Sequence, residues 1–390
     1  MRMIFITCGI FAVTCGVLAA YFGMSLSGVR ASPAPASTRP WNQQKAADYL
    51  DQRIAWWMAW PAAARGKGTV CVSCHTAVPY ALARPALRAA LGESNPSINE
   101  RKLLASVAKR VRSWNEIEPF YKNQKDGDST TARARGTEAV LNALILASYD
   151  ARSRKLSDVT RRAFENMWSL QRTGGSFSGS WWWLQFDNEP FEGADSNYYG
   201  AALAAVAIGT APEQYRSSPD IHSHLRLLRE YLTREFAGQS PINQVVLLWA
   251  SAKWPDLLTR QQQQSTMSEL AAKQQMDGGW NLASLAWTWR DWRFPSLVSM
   301  YTRSYGAPLE RKSDAYATAL IAFTLEQMGL RSSNVMLKGA IAWLVRNQNQ
   351  IEGSWQSYSL NGRRDPASPT GRFMTDAATA YAVLALTTTN

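Results

Sequence analysis

The chain has little sulfur and little imidazole to work with. Of its 390 residues four are cysteine and three are histidine. Cys8 and Cys15 fall in an apolar N-terminal run, so the rest of the chain keeps only Cys71 and Cys74. A disulfide framework needs more pairs than that. A structural zinc site needs about four ligands; the stretch VCVSCHT (70–76) offers three, and the other histidines are His222 and His224. A thioredoxin-like redox pair needs a βαβ setting, which this region lacks. Also missing is any long block of like charge: 42 Lys and Arg against 30 Asp and Glu give +12, spread among helical segments. A nucleic-acid footprint is a stripe or patch. The charge therefore reads as a solvated outer surface, nucleic acid is not an expected partner, and attraction to an anionic membrane surface stays open.

What is present begins at the N-terminus. Met1–Met3 carries one Arg, and IFITCGIFAVTCGVLAAYFG (4–23) follows without a charge. A cleaved secretory signal usually has a shorter apolar core and a membrane anchor needs roughly 20 apolar residues, so this run sits on the boundary. GVRASPAPASTRP (28–40) reads as a Pro/Ala/Ser linker with a weak cleavage point near Ala31. Residues 1–30 are thus expected to be signal peptide or anchor, 31–40 linker, and 41–390 a folded body outside the cytoplasm. The location is periplasmic or otherwise extracytoplasmic, on the inner membrane through residues 4–23 if the leader is retained.

Export gives Cys71, Cys74 and His75 a meaning. In a c-type haem site two thiols of a Cys-x-x-Cys-His run form thioethers to the haem vinyl groups, and the adjoining histidine becomes an axial iron ligand. One covalent haem c is the expected cofactor; a simple solvent-exposed disulfide is the competing reading.

Along the body two kinds of helical segment alternate. Segments with a charged face are QQKAADYLDQRIAWWM, NERKLLASVAKRV, LSDVTRRAFENMWSLQ, SPDIHSHLRLLREYLTREF, TRQQQQSTMSELAAKQQ and NVMLKGAIAWLVRNQ. Between them come AVPYALARPALRAALG, GTEAVLNALILAS, DSNYYGAALAAVAIG, SPINQVVLLWASAKW, SDAYATALIAFTLEQMG and TDAATAYAVLALT, which are small and apolar nearly throughout. A helix polar on one face suits an outer layer, and one apolar all round must be buried. The expected fold is all-α, a single (α/α)6 toroid of outer and inner helices with the haem motif between the first of each. An irregular bundle or solenoid is the alternative.

Three connections share a second pattern: QQMDGGW (274–280), QNQIEGSW (348–355) and the looser QRTGGSFSGSWWW (171–183). These resemble the Gln-Trp repeats of the squalene–hopene cyclase and prenyltransferase superfamily, and the resemblance spans roughly residues 40–390. It implies a structural turn in which Gly supplies positive φ or close backbone approach, Gln ties helix ends and Trp stacks on them. It implies little about activity, since such toroids carry unrelated chemistries. The cyclases have two toroidal domains and a protonating Asp-x-Asp-Asp; here there is length for one toroid, and the nearest text is DGDST (126–130). Asp128 would stand in for the protonating acid, although Asp126 and Asp128 read as a charged loop several residues before the inner helix. The metal-binding Asp, Cys and His set of the protein prenyltransferases is missing.

Register within the repeats puts the haem at the N-terminal end of the inner helices. The other inner helices present Glu138, Asp195, Asp314 and Asp376 near that end, where the superfamily gathers its cavity. Acids there cap helices and complement the dipole, the reading preferred for Asp314 and Asp376. Glu138, leading into an apolar helix, and Asp195, after a stretch holding Glu189 and Glu192, are the candidate catalytic acid and base. Of the 17 Trp, Trp56, Trp57, Trp60 and Trp181–Trp183 could wall a cavity for an isoprenoid or sugar, or pack the repeat and a haem. A second axial ligand is not evident: Met58 is a candidate metal ligand, His222 and His224 lie at i,i+2, and a pentacoordinate iron is equally allowed.

Three function classes follow. The first is an exported haem-c protein doing redox or cyclisation chemistry on a hydrophobic, isoprenoid-like small molecule. The second is an electron-transfer cytochrome with the toroid as scaffold and a redox partner protein. The third is a carbohydrate-active α/α barrel using Glu138 and Asp195; an acidic sugar would need cavity cations, for which only Arg84 and Arg88 offer themselves. The first is preferred.

Overall fold

Side-chain caps set where five of the six amphipathic helices begin, the one that starts at His222 being the exception. In the computed structural model, which describes residues 40–117, 127–186, 189–286, 312–360 and 364–388, these helices are α1 (Gln43–Ala59), α3 (Ile98–Arg112), α5 (Asp158–Trp168), α8 (His222–Glu235), α10 (Arg260–Lys273) and α13 (Val335–Asn347). Asn42, Ser97, Ser157, Thr259 and Asn334 each accept a backbone N–H of the following turn, and Ser97–Glu100 and Thr259–Gln262 form full capping boxes. Such caps satisfy donors that helix geometry leaves without partners.

The apolar helices are α2 (Ala77–Ala90), α4 (Gly127–Asp150), α6 (Ser196–Thr210), α9 (Pro241–Lys253), α12 (Ala315–Gln327) and α14 (Phe373–Thr388). They are buried almost all round; in α6 every residue from Ser196 to Ile208 is. Two one-turn helices, α7 (Glu213–Arg216) and α11 (Ala283–Ala286), complete the set, and a two-stranded hairpin, β1 (Ala64–Arg65) with β2 (Thr69–Val70), precedes α2. Among the described residues the fold is all-α apart from that hairpin.

Each apolar helix packs on the next: α2 on α4, α4 on α6, α6 on α9, α9 on α12, α12 on α14, and α14 back on α2. The amphipathic helices lie against this set, α1 on α2 and α14, α5 on α4, α8 on α6, α10 on α9 and α13 on α12. The described residues belong to one compact unit, Ser37–Asn390. No helix among them is long and apolar enough to cross a membrane; residues 1–39, and with them the expected leader and nearly all of the linker, lie outside the described residues.

One expectation is corrected. The apolar helix of the second repeat does not start at Gly136: α4 begins at Gly127, so Asp128 is in its first turn rather than in a loop ahead of it. Its side chain and Asp126 lie outside the described residues. The stretch STTARAR contains neither Pro nor Gly, so nothing interrupts the helix. Gly136 does not end it either, because its missing side chain makes room for Trp182, whose carbonyl oxygen would lie 2.1 Å from a Cβ there.

The three Gln–Gly–Trp connections are built alike. Gln171, Gln274 and Gln348 each donate through Nε2 to a carbonyl within their own turn, of Gly179, Gly278 and Gly353. Each also reaches the start of the next amphipathic helix, at the carbonyls of His224, Met336 and Asn42. The indole N–H groups of Trp181, Trp280 and Trp355 donate to Met167, Leu270 and Leu344, near the end of the preceding amphipathic helix. All three glycines have positive φ, 97°, 95° and 83°. Gly353 adopts φ +83° with the Lys45 backbone 2.1 Å from where a Cβ would sit. Gly353→Ala should therefore cost about 3 kcal/mol or more, strain plus a backbone clash. Gly92→Ala, with φ +70° and open space around it, should cost about 1 kcal/mol; urea unfolding midpoints of the two variants check the difference.

Candidate functional site

The Cys-x-x-Cys-His run lies in the turn between the hairpin and α2 and is held from three directions. The Trp57 indole donates to the Cys71 carbonyl at 2.8 Å, and Cys71 N–H donates to Ala63 at 2.8 Å. The Ser73 hydroxyl accepts the N–H groups of Thr76 and Ala77, capping α2. Both thiols are free. Burial raises their pKa values, so neither is activated as a thiolate.

His75 stacks on Phe373, ring centroids 3.8 Å apart, and meets Trp57 edge-on at 5.1 Å. From Trp57 the aromatic contacts continue to Trp60 at 5.5 Å, and Trp60 stacks on the half-exposed Trp56 at 5.1 Å. Desolvation lowers the His75 pKa to about 3, and the charges of Arg53 and Arg364 add to it, so the ring is neutral. Its Nδ1 lies 2.8 Å from the Thr76 hydroxyl, which donates to Asp376 Oδ2 at 2.8 Å. Asp376 Oδ1 accepts from Tyr49 at 2.9 Å and from Arg53 Nε at 2.6 Å, and Arg53 also reaches Oδ2 at 2.9 Å. Burial raises the Asp376 pKa, while Arg53, Thr76 and Tyr49 oppose the rise. Asp376 is in the first turn of α14 as expected, but its partners are on α1 and beside His75.

His75 opens on a cavity lined by Glu189, Phe191, Glu192, Arg364, Phe373 and Met374 among others. Deeper, Tyr316 lies between Phe191 and Tyr381, with ring centroids 5.4 and 5.9 Å away. The run supplies donor types that a covalent haem uses, two free thiols and a neutral imidazole with Nδ1 engaged, while the cavity beside His75 is lined by Arg364 and aromatic rings and by neither cysteine. Met374 brings a thioether to that cavity, which the sequence did not suggest; Met58 packs against the core from α1. His224 bonds Gln171 and stacks on Trp168 within its repeat turn, and His222 is exposed. Among the described residues no three His, Cys, Asp or Glu side chains are grouped to hold a metal by themselves.

The candidate acids go separate ways. Glu138 is not a lone buried carboxyl: Arg110, fully buried, grips both its oxygens at 2.5 and 2.7 Å and reaches on to Thr69 at 2.6 Å. Glu138 is thus one half of a buried ion pair with a permanent cation, where its place ahead of an apolar stretch suggested a lone carboxyl. Asp195 precedes α6, half-exposed, and its side chain does not cap the helix. Asp314 does cap α12, accepting from Ala317 at 3.0 Å, and also takes the Leu282 N–H and the Ser357 hydroxyl. Arg84 pairs with Asp51 and Glu93, and Arg88 with Glu100, so these cations are occupied between helices. Trp181 and Trp183 are core while Trp182 points outward over Arg172, the alternation of an extended segment.

Neither a scan against protein-family models nor a search of curated proteins finds a match for the chain.

Two outcomes are expected. Glu138→Gln strands Arg110 as a buried cation and should destabilise the fold by about 3–5 kcal/mol, read as a lowered urea midpoint. Burial raises the Asp314 pKa to about 6 despite its N–H donors, above the unfolded value near 4. The folded state then holds the proton more tightly, so the Asp314 contribution to stability should fall by about 3 kcal/mol as pH rises from about 4 to 6, added to the contributions of Asp376 and Glu326, whose pKa values burial also raises. Asp314→Asn should remove the Asp314 share of that slope, measured by urea unfolding across the same pH range.

Proposed function

We propose that the chain is an exported c-type haem protein on an (α/α)6 toroid of the squalene-cyclase-like kind, and that its task is one-electron transfer. The toroid is supported by the packing of each apolar helix on the next with α14 returning to α2, and by the three Gln–Gly–Trp turns. Covalently held haem supplies an iron that cycles between two oxidation states. Cys71 and Cys74 would hold it by thioethers and His75 would ligate the iron. The observation that carries the electron-transfer reading is the run of rings from His75 through Trp57 and Trp60 to the half-exposed Trp56. These side chains give His75 a packed aromatic connection to the surface, where a redox partner protein could meet it.

Redox chemistry on a hydrophobic small molecule is a second reading, favoured by the apolar wall of Phe191, Phe373 and Met374 beside His75. Cyclisation and sugar chemistry draw no support from Glu138, since Arg110 holds it. Membrane attachment through residues 4–23 belongs to the same proposal, as the means of keeping the haem outside the cytoplasm.

Expression with cytochrome c maturation machinery should give a covalent haem, detected by intact mass and visible spectrum, that is lost in Cys71→Ala/Cys74→Ala. A reduced spectrum unchanged by carbon monoxide supports electron transfer. Rapid carbon monoxide binding supports the small-molecule reading, and no covalent haem overturns both.

A further inference from the structure

The hydrogen bonds around His75 fix more than its position. Arg53 donates to both oxygens of Asp376, and Tyr49 donates to one of them, so the carboxylate is an acceptor throughout. The Thr76 hydroxyl spends its single proton on Asp376 Oδ2 at 2.8 Å. Its oxygen can then only accept from His75 Nδ1, 2.8 Å away, and that nitrogen must carry hydrogen.

We propose that Asp376 and Thr76 are positioning residues that lock His75 as the Nδ1–H tautomer, presenting the Nε2 lone pair to iron and raising its basicity as a ligand. The tautomer follows from the protein's own groups; only its consequence for iron rests on the haem reading. Three elements meet in the relay: Tyr49 and Arg53 from α1, Thr76 just ahead of α2, and Asp376 from α14. The seam where the last apolar helix meets the first repeat therefore also sets the proton on the ligand. A hydrogen-bond partner on the far nitrogen of a ligating imidazole usually shifts metal affinity about 10–100-fold, and a more basic imidazole favours ferric over ferrous iron.

The test uses Thr76→Val, which keeps the shape and removes the hydroxyl, and Thr76→Ser, which keeps the hydroxyl. In the haem-free protein, nitrogen-15 imidazole shifts report the tautomer directly, and three histidines make assignment simple. His75 should be Nδ1–H in the wild type and in Thr76→Ser, and a mixture of tautomers in Thr76→Val. An Nε2–H wild type, or a tautomer indifferent to Thr76→Val while the variant remains folded, overturns the proposal; should Thr76→Val not fold, the wild-type and Thr76→Ser tautomers decide it. In the haem-loaded protein the midpoint potential of Thr76→Val should rise by about a tenfold change in ferric preference, ~59 mV for one electron, and Thr76→Ser should restore it; an unmoved potential removes the effect on iron. Failure to load haem with the tautomer as expected would overturn the cofactor reading and leave the relay standing.

Discussion

The amide of Gln348 accepts the N–H of Asn42 at 2.6 Å and donates to its carbonyl at 3.0 Å, joining points 306 residues apart. This is the tie on which the order of the molecule depends. Gln274 makes the corresponding contact from α10 to α13, and Gln171 from α5 to α8, but in those cases the groups joined are only 62 and 53 residues apart. At Gln348 the same local chemistry fastens the last turn to the first helix. Closing so long a segment has an entropic cost that grows only slowly with length, whereas a buried amide left unbonded carries a large one. Gly353 has to lie against the Lys45 backbone for the tie to form, so the glycine and the glutamine act as one device.

The consequence reaches the Cys-x-x-Cys-His run. α1 and α14 meet at this seam, and Tyr49, Arg53 and Asp376 are the polar groups they bury between them. Arg53 also reaches the Pro369 carbonyl in the approach to α14. A buried ion pair is seldom a net source of stability, yet removing one partner is costly, so the pair holds α1 and α14 in a fixed relation. Thr76 and His75 sit on that fixed carboxylate. The chemistry of His75 is thereby tied to the closure of the helix set and not only to the local turn that Ser73 organises.

The twelve principal helices were readable in the sequence because each apolar segment is apolar all round and each amphipathic one carries a cap or a polar face. The Gln, Gly and Trp positions were readable because they recur at similar spacing. The start of α4 was not, since Gly136 looks like a break until Trp182 is seen packed on it. Nor were the fates of the acids. Glu138 and Asp376 each stand before an apolar stretch, and nothing near them in sequence announces Arg110 or Arg53, which arrive 28 and 323 residues away. The Trp181–Trp183 run was hard to place because two of its rings face the core and one faces out, a period of two inside a helical protein.

Three buried acids of three apolar helices, Glu138 in mid-helix, Asp376 in a first turn and Asp314 at an N-cap, meet three environments: Glu138 a guanidinium, Asp376 a guanidinium with two hydroxyls, and Asp314 backbone N–H groups and a serine. The turns that tie the repeats kept one design while the polar groups inside diverged. Divergence of that kind is a cost to a repeat used only for packing, because every buried charge must find its own partner. The Asp376 environment is the one that continues, through Thr76, onto a side chain facing a cavity. Glu138 is held by Arg110, which also reaches Thr69, and Asp314 by backbone and serine donors, so of the three it is Asp376 whose hydrogen bonds lead to a side chain lining that cavity.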